Sequence, residues 1–419
     1  MRIISLIYTK KYVLEVVAIN LNVNDQVETD LNEKKIFLSK ITFFFGLFTV
    51  ILRGIYVNSS LSVVYSGSYS QYLSYLSFFL FIISIFAKSD FSKRWVLVSL
   101  ISLTIGTFIF YYSGDNNILL IVLFALSSWE IDLQKIIKFI FTTSLILFVS
   151  IIILNKLGIL PNIITYKNGL ARNSFGFLYT SGLSAFASFI YLNYLLIKRE
   201  KYRLRDMLLG VILSSILFYF TRVSQDSLLV VFEAIIVYLI NIEKKDIFGK
   251  ISRLFSVIVA PLSLVFIFAT SYMFTPYSTF WVNFDSHLSG RLYLGRELIS
   301  NYTIKLFGQP IPQIGSAGLA NIRNSGDYWT QYFYIDSSYL RFIYMYGICS
   351  IVLVAIFYFI LIRKIIRYND SYLAVCIIVV SVLGITGQYM SGYSPNFLWA
   401  LIFSQYTYSS LKEKKKCLK

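Results

Sequence analysis

Three arginines in three separate segments have the chemistry to hold a phosphorylated ligand. Arg172 lies in Ala-Arg-Asn-Ser-Phe-Gly-Phe, Arg222 in Thr-Arg-Val-Ser-Gln-Asp and Arg291 in His-Leu-Ser-Gly-Arg. A guanidinium group offers a planar fork of donors that matches phosphate oxygens, and its charge does not titrate away. Any one of these arginines alone is equally well explained as a side chain that reaches lipid headgroups. Together they predict a phosphate-binding site, if the fold brings the three segments to one place.

Two further residues are candidates for proton transfer. His287, the only histidine, lies close to Arg291 in the sequence, and a neutral imidazole could act as a general base on a hydroxyl group. Asp336 could orient or deprotonate the same hydroxyl. The alternative for His287 is a loop histidine with an ordinary hydrogen-bond partner, and the alternative for Asp336 is a helix N-cap.

Two charged residues fall within apolar stretches. Arg341 follows closely on Asp336, and it either extends to lipid headgroups or reaches the arginine site from within. Glu233 stands in Val-Phe-Glu-Ala, where an unpaired charge inside a membrane costs several kcal/mol. We expect Glu233 to be protonated or paired with an arginine. Its two interpretations are a structural ion pair and a proton-coupled transporter.

Motifs for several other chemistries are missing from the sequence. No phosphate-cradling glycine loop precedes a Lys-Ser or Lys-Thr pair, and neither paired histidines nor a metal-binding cysteine spacing occurs. The Gly-x-Ser-x-Gly motif is also missing. We therefore expect no metal, no other cofactor and no ATP-driven chemistry.

The elements that must position these residues are membrane helices. Of the 419 residues 57% are hydrophobic and only 14% are charged, against about 25% charged residues in soluble domains. This composition excludes an ordinary soluble enzyme and predicts an all-α polytopic membrane protein. Apolar runs between charge clusters predict twelve spans, at about 36–56, 70–87, 95–112, 118–129, 136–158, 176–197, 207–221, 227–242, 254–274, 337–362, 371–388 and 394–410. The fourth is short for a span, and is either half buried or re-entrant.

The formal charge of +17 is explained by topology, without a nucleic-acid partner. Of the 38 basic residues, 28 fall in alternate connecting segments that begin with the amino terminus. Basic residues concentrate in cytoplasmic loops, so we expect both termini in the cytoplasm and the three arginines on the opposite side. An error of one hairpin would preserve this alternation, and the count is therefore ten to twelve helices.

One connecting segment differs from the others in length. The predicted organisation is a cytoplasmic N-terminal extension (1–35), helices 1–9 (36–274), a long external loop with short helices (275–336), helices 10–12 (337–410) and a basic tail (411–419). Long ordered loops usually carry function. We expect Ser289 to cap a helix that starts near Arg291. On such a helix Arg291 and Arg296 would lie about 140° apart, so only one can face a shared site.

These features together resemble the Wzy-type polymerases of bacterial capsular polysaccharide and O-antigen repeat units. The resemblance covers most of the chain. It rests on the span count, the late external loop, the Arg172 and Arg222 motifs, Ser289-Gly290-Arg291 followed by Phe307-Gly308, and Asp336-Ser337-Ser338-Tyr339-Leu340 leading to Tyr346-Gly347. The chain departs from the family where the first motif often continues into His-Pro-Asn, because it reads Leu178-Tyr179-Thr180-Ser181 here. No role of that tripeptide is carried over.

The resemblance implies a metal-independent membrane glycosyltransferase in the bacterial cytoplasmic membrane. Its substrate would be an undecaprenyl-pyrophosphate-linked oligosaccharide, and its further partners would be membrane lipids, a chain-length regulator and a flippase. Arg172, Arg222 and Arg291 would bind pyrophosphate, and Asp336 or His287 would assist the acceptor hydroxyl. Loop aromatics would stack on sugars or form an interfacial belt; they include Tyr328, Trp329, Tyr332 and Tyr334. The alternatives are an O-antigen-ligase-like transferase, a polysaccharide flippase or other secondary transporter, and a structural membrane partner without catalysis.

Overall fold

Nine helices in the described part of the chain are long and apolar enough to cross a membrane, which indicates a multi-pass membrane protein. The structure, a computed structural model, describes residues 33–65, 67–88, 92–167, 169–314, 332–392 and 396–405. The nine are α1 (Glu33–Asn58), α3 (Tyr69–Phe86), α4 (Lys93–Ser113), α6 (Leu133–Lys156), α7 (Thr180–Lys198), α8 (Leu204–Thr221), α9 (Ser224–Ile242), α10 (Ile247–Met273) and α14 (Gly347–Tyr368). Most of the predicted N-terminal extension, the basic tail, Tyr328 and Trp329 lie outside the described residues.

Shorter helices complete the fold. They are α2 (Leu61–Val64), α5 (Asn117–Ser127), α11 (Thr279–His287), α12 (Arg291–Asn301), α13 (Ser338–Leu340) and α15 (Ser371–Thr386). The fourth and eleventh predicted spans correspond to α5 and α15, and both helices are almost completely buried by their neighbours. The carbonyl groups at the end of α5 are capped by Lys88, whose Nζ donates to Ser127 O at 3.1 Å and to Trp129 O at 2.8 Å. A lysine at the end of one spanning helix therefore stabilises the end of a short one.

The structure corrects the twelfth predicted span. Where a helix was expected at 394–410, the described residues form one short 3₁₀ helix (Leu398–Ile402) that is buried throughout. Irregular backbone at membrane depth must find its partners inside the protein. Ser128 Oγ donates to Ala400 O at 2.9 Å, and Lys364 Nζ donates to Leu401 O at 2.6 Å. An apolar run does not show whether its side chains face lipid or protein, and the prediction failed for this reason.

The tenth predicted span is broken in two. After α13, residues Arg341–Met345 form a π-helical turn, and α14 begins only at Gly347. The break is filled by an extended loop segment, residues 305–309. Ile348 N donates to Lys305 O at 3.1 Å, and Gln309 N donates to Met345 O at 3.0 Å. The loop backbone thus pairs with the groups that the helix break leaves without partners.

Two glycines make this junction possible. Gly308 and Gly347 have φ of +83° and +81°, a region that glycine adopts without strain. A methyl group on Gly308 would lie 2.0 Å from Met345 O, and one on Gly347 would lie 2.2 Å from Gly308 N. Phe307-Gly308 and Tyr346-Gly347 are far apart in the sequence, but the structure brings the two pairs into direct contact.

A short β-hairpin precedes α7 within this otherwise helical fold. Its strands are β1 (Ile164–Lys167) and β2 (Leu170–Asn173), with Thr165 opposite Arg172. Gly169 in the turn has φ of +76°. Asn168-Gly169 is a typical sequence for a two-residue hairpin turn.

The helices alternate in direction, and this places the connections that carry the predicted site residues at one end of the bundle. We call this end the loop face: the described parts of 59–68, 114–116, 157–179, 222–223, 274–346 and 387–397. Contacts hold these connections together. Ser60 N donates to Gly176 O at 2.8 Å, and Ser338 N donates to Gly387 O at 3.1 Å.

We expect Gly308→Ala and Gly347→Ala each to destabilise the protein well beyond the cost of a left-handed alanine. Gly158→Ala is the matched control, because Gly158 also has positive φ (+75°) but a methyl group there would meet nothing within 4 Å. The control should lose only the roughly 1–2 kcal/mol of folding stability that alanine costs in a left-handed conformation. Thermal unfolding of the detergent-purified variants measures the difference, and equal melting temperatures for all three would contradict the junction.

Candidate functional site

An ion pair between Arg291 and Asp336 lies at the centre of the loop face. Arg291 Nη2 is 3.1 Å from Asp336 Oδ2, and the two side chains are 23% and 18% exposed. The guanidinium also donates from Nη1 to Ser289 O at 2.7 Å and from Nε to Thr386 O at 3.3 Å. The pair lines a narrow slot together with residues of α12 and of the segment leading to α13. Both side chains of the pair are thus only partly buried.

The start of α12 is set by an aspartate rather than by the predicted serine cap. Ser289 and Gly290 both have positive φ, at 56° and 82°, and the chain turns sharply before Arg291. This turn brings the Asp285 carboxylate to the first turn of α12, where it accepts from Leu292 N at 2.8 Å. A carboxylate at this position also interacts favourably with the helix dipole. The expectation of a Ser289 cap is therefore wrong.

Close packing against α10 fixes the orientation of α12. Gly295 follows Arg291 by one helical turn on the same face, and a methyl group there would lie 2.3 Å from Ser271 Oγ. Arg296 projects elsewhere: its Nη1 donates to Tyr272 O at 2.8 Å. Arg291 and Arg296 therefore contact different parts of the structure, in keeping with their expected separation of about 140° on the helix.

Arg172 reaches the same site from the β-hairpin. Its Nε donates to Thr221 O, the last residue of α8, at 2.7 Å. Burial lowers the pKa of Arg172, and the positive charge of Arg291 lowers it further. Thr221 lies just before the start of α9, where Gln225 contacts Thr386, and the carbonyl group of Thr386 also accepts from Arg291. The two guanidinium groups are therefore neighbours, and their positive charges act on each other. An anion placed between them would relieve this repulsion.

The Arg222 side chain takes a different direction. Arg222 ends α8 with φ of +52°, directly after the carbonyl group that holds Arg172. Its guanidinium lies over the rings of Phe218 and Tyr219, at 5.8 and 5.4 Å from the ring centroids. Of the three predicted phosphate ligands, the structure brings Arg172 and Arg291 together and packs the third against its own helix.

Asp336 does not serve as the helix N-cap that one interpretation expected. The residue before α13 is Ser337, and the Asp336 carboxylate binds Arg291 instead. Ser338 Oγ holds this segment in place by donating to Gly387 O at 2.7 Å. Burial raises the pKa of Asp336 above its ordinary value, and the positive charges of Arg291 and Arg341 oppose that rise.

Two site residues were missed by sequence reasoning. Asp226, in the first turn of α9, is 3% exposed and lies within electrostatic range of Arg291. Tyr389 follows α15; burial raises its pKa well above the ordinary value, the charges of Asp226 and Asp336 add to the rise, and Arg291 opposes it. An acidic residue in a first helical turn is common, and Tyr389 is one of 33 tyrosines. The sequence offered no signal that singled out either residue.

Arg341 is an internal residue and does not reach lipid headgroups. It is 3% exposed, and its Nη2 donates to Gln313 Oε1 at 2.7 Å and to Ile335 O at 3.2 Å. Its Nη1 lies 3.6 Å from Asp115 Oδ2. Arg341 therefore supports the segment that carries Asp336. Its guanidinium also lies 5.7 Å from the ring centroid of Tyr334, one of the predicted sugar-stacking aromatics.

The contacts recorded for His287 and Glu233 in the described part of the chain do not include Arg291 or Asp336. His287 is exposed, and its Nδ1 is 2.8 Å from Asn283 O in its own helix, as the alternative interpretation expected. Glu233 is completely buried midway along α9, and its carboxylate oxygens have no hydrogen-bond partner among the described residues. Of the two states expected for Glu233, pairing with an arginine is not observed in the part of the chain that the structure describes.

Across the described ranges, no group of three or more His, Cys, Asp or Glu side chains comes together as a metal site would require. Comparisons of the chain with protein-family models, with curated proteins and with solved structures found no match. The chemistry of the loop face is therefore inferred from its own geometry.

Thermal unfolding of Arg291→Gln, Asp336→Asn and the double variant tests the central ion pair. Each single change leaves the other charge partly buried without its partner, so we expect both to lower the melting temperature. The double variant should lose clearly less than the sum, with a coupling of roughly 0.5–3 kcal/mol. Arg291→Gln combined with Glu297→Gln is the control, since Glu297 accepts from Tyr293 Oη instead. Additive effects in both cycles would show that the pair does not form.

Proposed function

We propose that this protein polymerises lipid-linked oligosaccharide repeat units by glycosyl transfer from an undecaprenyl-pyrophosphate carrier. The observation that supports this function best is the Arg291–Asp336 ion pair at 3.1 Å, with Arg172 held by Thr221 O near enough for its charge to act on Arg291, on one face of a membrane bundle. Two cations from different segments suit a pyrophosphate group, and an adjacent carboxylate suits a hydroxyl group. These are the two groups that such a transfer must bind.

The chemical step needs no group beyond these. The oxygen of an acceptor sugar hydroxyl attacks the anomeric carbon of the donor, and the bond from that carbon to the pyrophosphate oxygen breaks. The leaving pyrophosphate takes the electron pair, and Arg172 and Arg291 stabilise its growing negative charge. Asp336 accepts the proton of the attacking hydroxyl. Because Arg291 touches Asp336, it places the leaving group and the base side by side.

The proposed membrane orientation puts the loop face outside the cytoplasmic membrane and both termini in the cytoplasm. The opposite end of the bundle carries the basic clusters at 198–205 and 244–253, as the positive-inside rule requires of a cytoplasmic side. The site would then meet substrates after a flippase has delivered them. A chain-length regulator is a further candidate partner.

One observation favours a second candidate function. Glu233 is buried halfway along α9 without a hydrogen-bond partner among the described residues, and intramembrane carboxylates of this kind serve proton-coupled transporters. A flippase for the same lipid-linked units would use both the arginines and Glu233. The two functions differ in where the units accumulate when the protein is inactive.

We expect Arg172→Ala and Arg291→Ala to lower the rate of polymer formation by roughly 100-fold each, the loss seen when one group that stabilises a developing oxyanion is removed. Arg296→Ala is the matched control, because Arg296 stands on α12 but contacts Tyr272 O. The assay supplies purified protein with its lipid-linked repeat units and resolves the ladder of polymer lengths. If all variants still produce the full ladder of polymer lengths, the proposal is refuted. In cells that carry the variants, accumulation of lipid-linked units in the inner leaflet would instead indicate a flippase.

The rate should also fall on the acid side as Asp336 takes up a proton. Only the ionised carboxylate accepts a proton from the acceptor, so activity is lost as pH drops through the pKa of Asp336. Because burial raises that pKa, the acid limb should lie above the ordinary aspartate value of about 3.9. Asp336→Asn should remove the limb and most of the activity, while Glu297→Gln should leave both unchanged. An unaltered pH profile in Asp336→Asn would exclude Asp336 as the base.

A further inference from the structure

A second opening lies on the loop face, separate from the slot of Arg291 and Asp336. It is an open cleft of ≈ 580 Å³ between the end of α1, the start of α3, the turn joining α4 to α5, and loop residues 310–312. This volume falls within the range of about 300–1,000 Å³ that is usual for ligand pockets. The function proposed above makes no use of this cleft.

The charges in the cleft wall balance one another. The wall contains Arg53 and Asp115, and the negative charge of Asp115 acts on Arg53. Arg53 also donates from Nε to Ser70 O at 3.0 Å, and Asp115 faces the buried Arg341 at 3.6 Å. The described part of the cleft wall therefore contains one cation and one anion, and no cluster of cations such as a phosphate ligand would need. The cleft is better suited to a neutral, hydrogen-bonding ligand.

The remaining polar side chains of the cleft are three amides and two serines. Gln71, Asn116 and Asn117 line the cleft, and an amide both donates and accepts hydrogen bonds. Sugar hydroxyl groups also donate and accept hydrogen bonds. The hydroxyl groups of a sugar therefore pair better with several amides than with a cluster of like charges. Pro310, Ile311 and Pro312 supply an apolar wall for the C–H face of a sugar ring.

One guanidinium group connects the cleft with the catalytic slot. Arg341 lies 3.6 Å from Asp115 in the cleft wall and donates to Ile335 O, in the residue that precedes Asp336. This side chain and its hydrogen-bond partners therefore join the walls of the two openings. A glycan that reacts at Asp336 would thus have its further units beside the cleft.

We propose that the cleft binds neutral sugar units of the lipid-linked oligosaccharide, at a distance from the bond that is transferred. This inference rests on the proposed function for the identity of the glycan. The affinity of the cleft for carbohydrate, however, is measured without catalysis, so the two proposals fail separately.

The test uses the full chain in phosphatidylcholine nanodiscs. The probe is the free oligosaccharide released by mild acid from the lipid-linked repeat units of cells that make the protein. Binding is measured by saturation-transfer NMR for the wild type, Gln71→Ala/Asn116→Ala, Arg291→Gln and Asn301→Ala. Gln71 is exposed and Asn116 is half-buried, so their truncation spares the core, and Asn301 is an exposed amide at the end of α12.

We expect the wild type, Arg291→Gln and Asn301→Ala to bind the oligosaccharide alike, and the double variant to bind it at least tenfold more weakly. A wild type that does not bind, or a double variant that binds normally, would overturn the cleft assignment. Loss of binding in Arg291→Gln would also overturn the assignment, because it would place the sugar in the slot. Displacement of the oligosaccharide by added phosphatidylglycerol would overturn it too, because it would indicate a site for lipid headgroups. If the double variant fails to bind while Arg291→Ala still makes polymer, the cleft stands and the proposed catalytic site falls.

Discussion

The buried guanidinium of Arg341 organises the loop face, because three parts of the chain depend on it for their hydrogen bonds. It pairs with Asp115 in the turn between α4 and α5, it donates to Gln313 in the long loop, and it donates to the carbonyl group of Ile335. A charge this deeply buried is tolerated only when its partners are complete, and removal of one partner of a buried pair typically costs about 3–5 kcal/mol. The position of Asp336, one residue beyond Ile335, is therefore set by a contact that contains no catalytic group.

The loop face brings two positive charges near one negative charge. Arg172 and Arg291 are held near each other by backbone carbonyl groups, Thr221 O and Thr386 O, which do not neutralise a cation. Asp336 compensates Arg291 in part. In the proposed function, a phosphate group between the two arginines supplies further negative charge, and cations held in place before the reaction stabilise the leaving group.

The sequence predicted the nine long helices, because hydropathy acts over whole helices. A shared phosphate site of Arg172, Arg222 and Arg291 stays a prediction, and the structure packs Arg222 against its own helix. Hydropathy could not separate buried apolar segments from lipid-facing ones, so it did not distinguish the short, buried helices α5 and α15 from the long ones, and it predicted a helix where the described residues form the 3₁₀ helix Leu398–Ile402. The β-hairpin was missed although Asn168-Gly169 signals a turn, since strands of four residues leave little mark in a hydropathy pattern. The side-chain direction of Arg222 and the role of Asp285 depend on local backbone angles, and a single sequence does not show these. Asp226 and Tyr389 enter the site only through packing of α9 and α15.

The most direct measurement is an experimental structure with a lipid-linked repeat unit bound. The account predicts pyrophosphate between the guanidinium groups of Arg172 and Arg291, within hydrogen-bond distance of both, with Asp336 facing the side from which an acceptor would approach. Pyrophosphate bound on the opposite end of the bundle, or on the loop face without contact to Arg172 and Arg291, would contradict it.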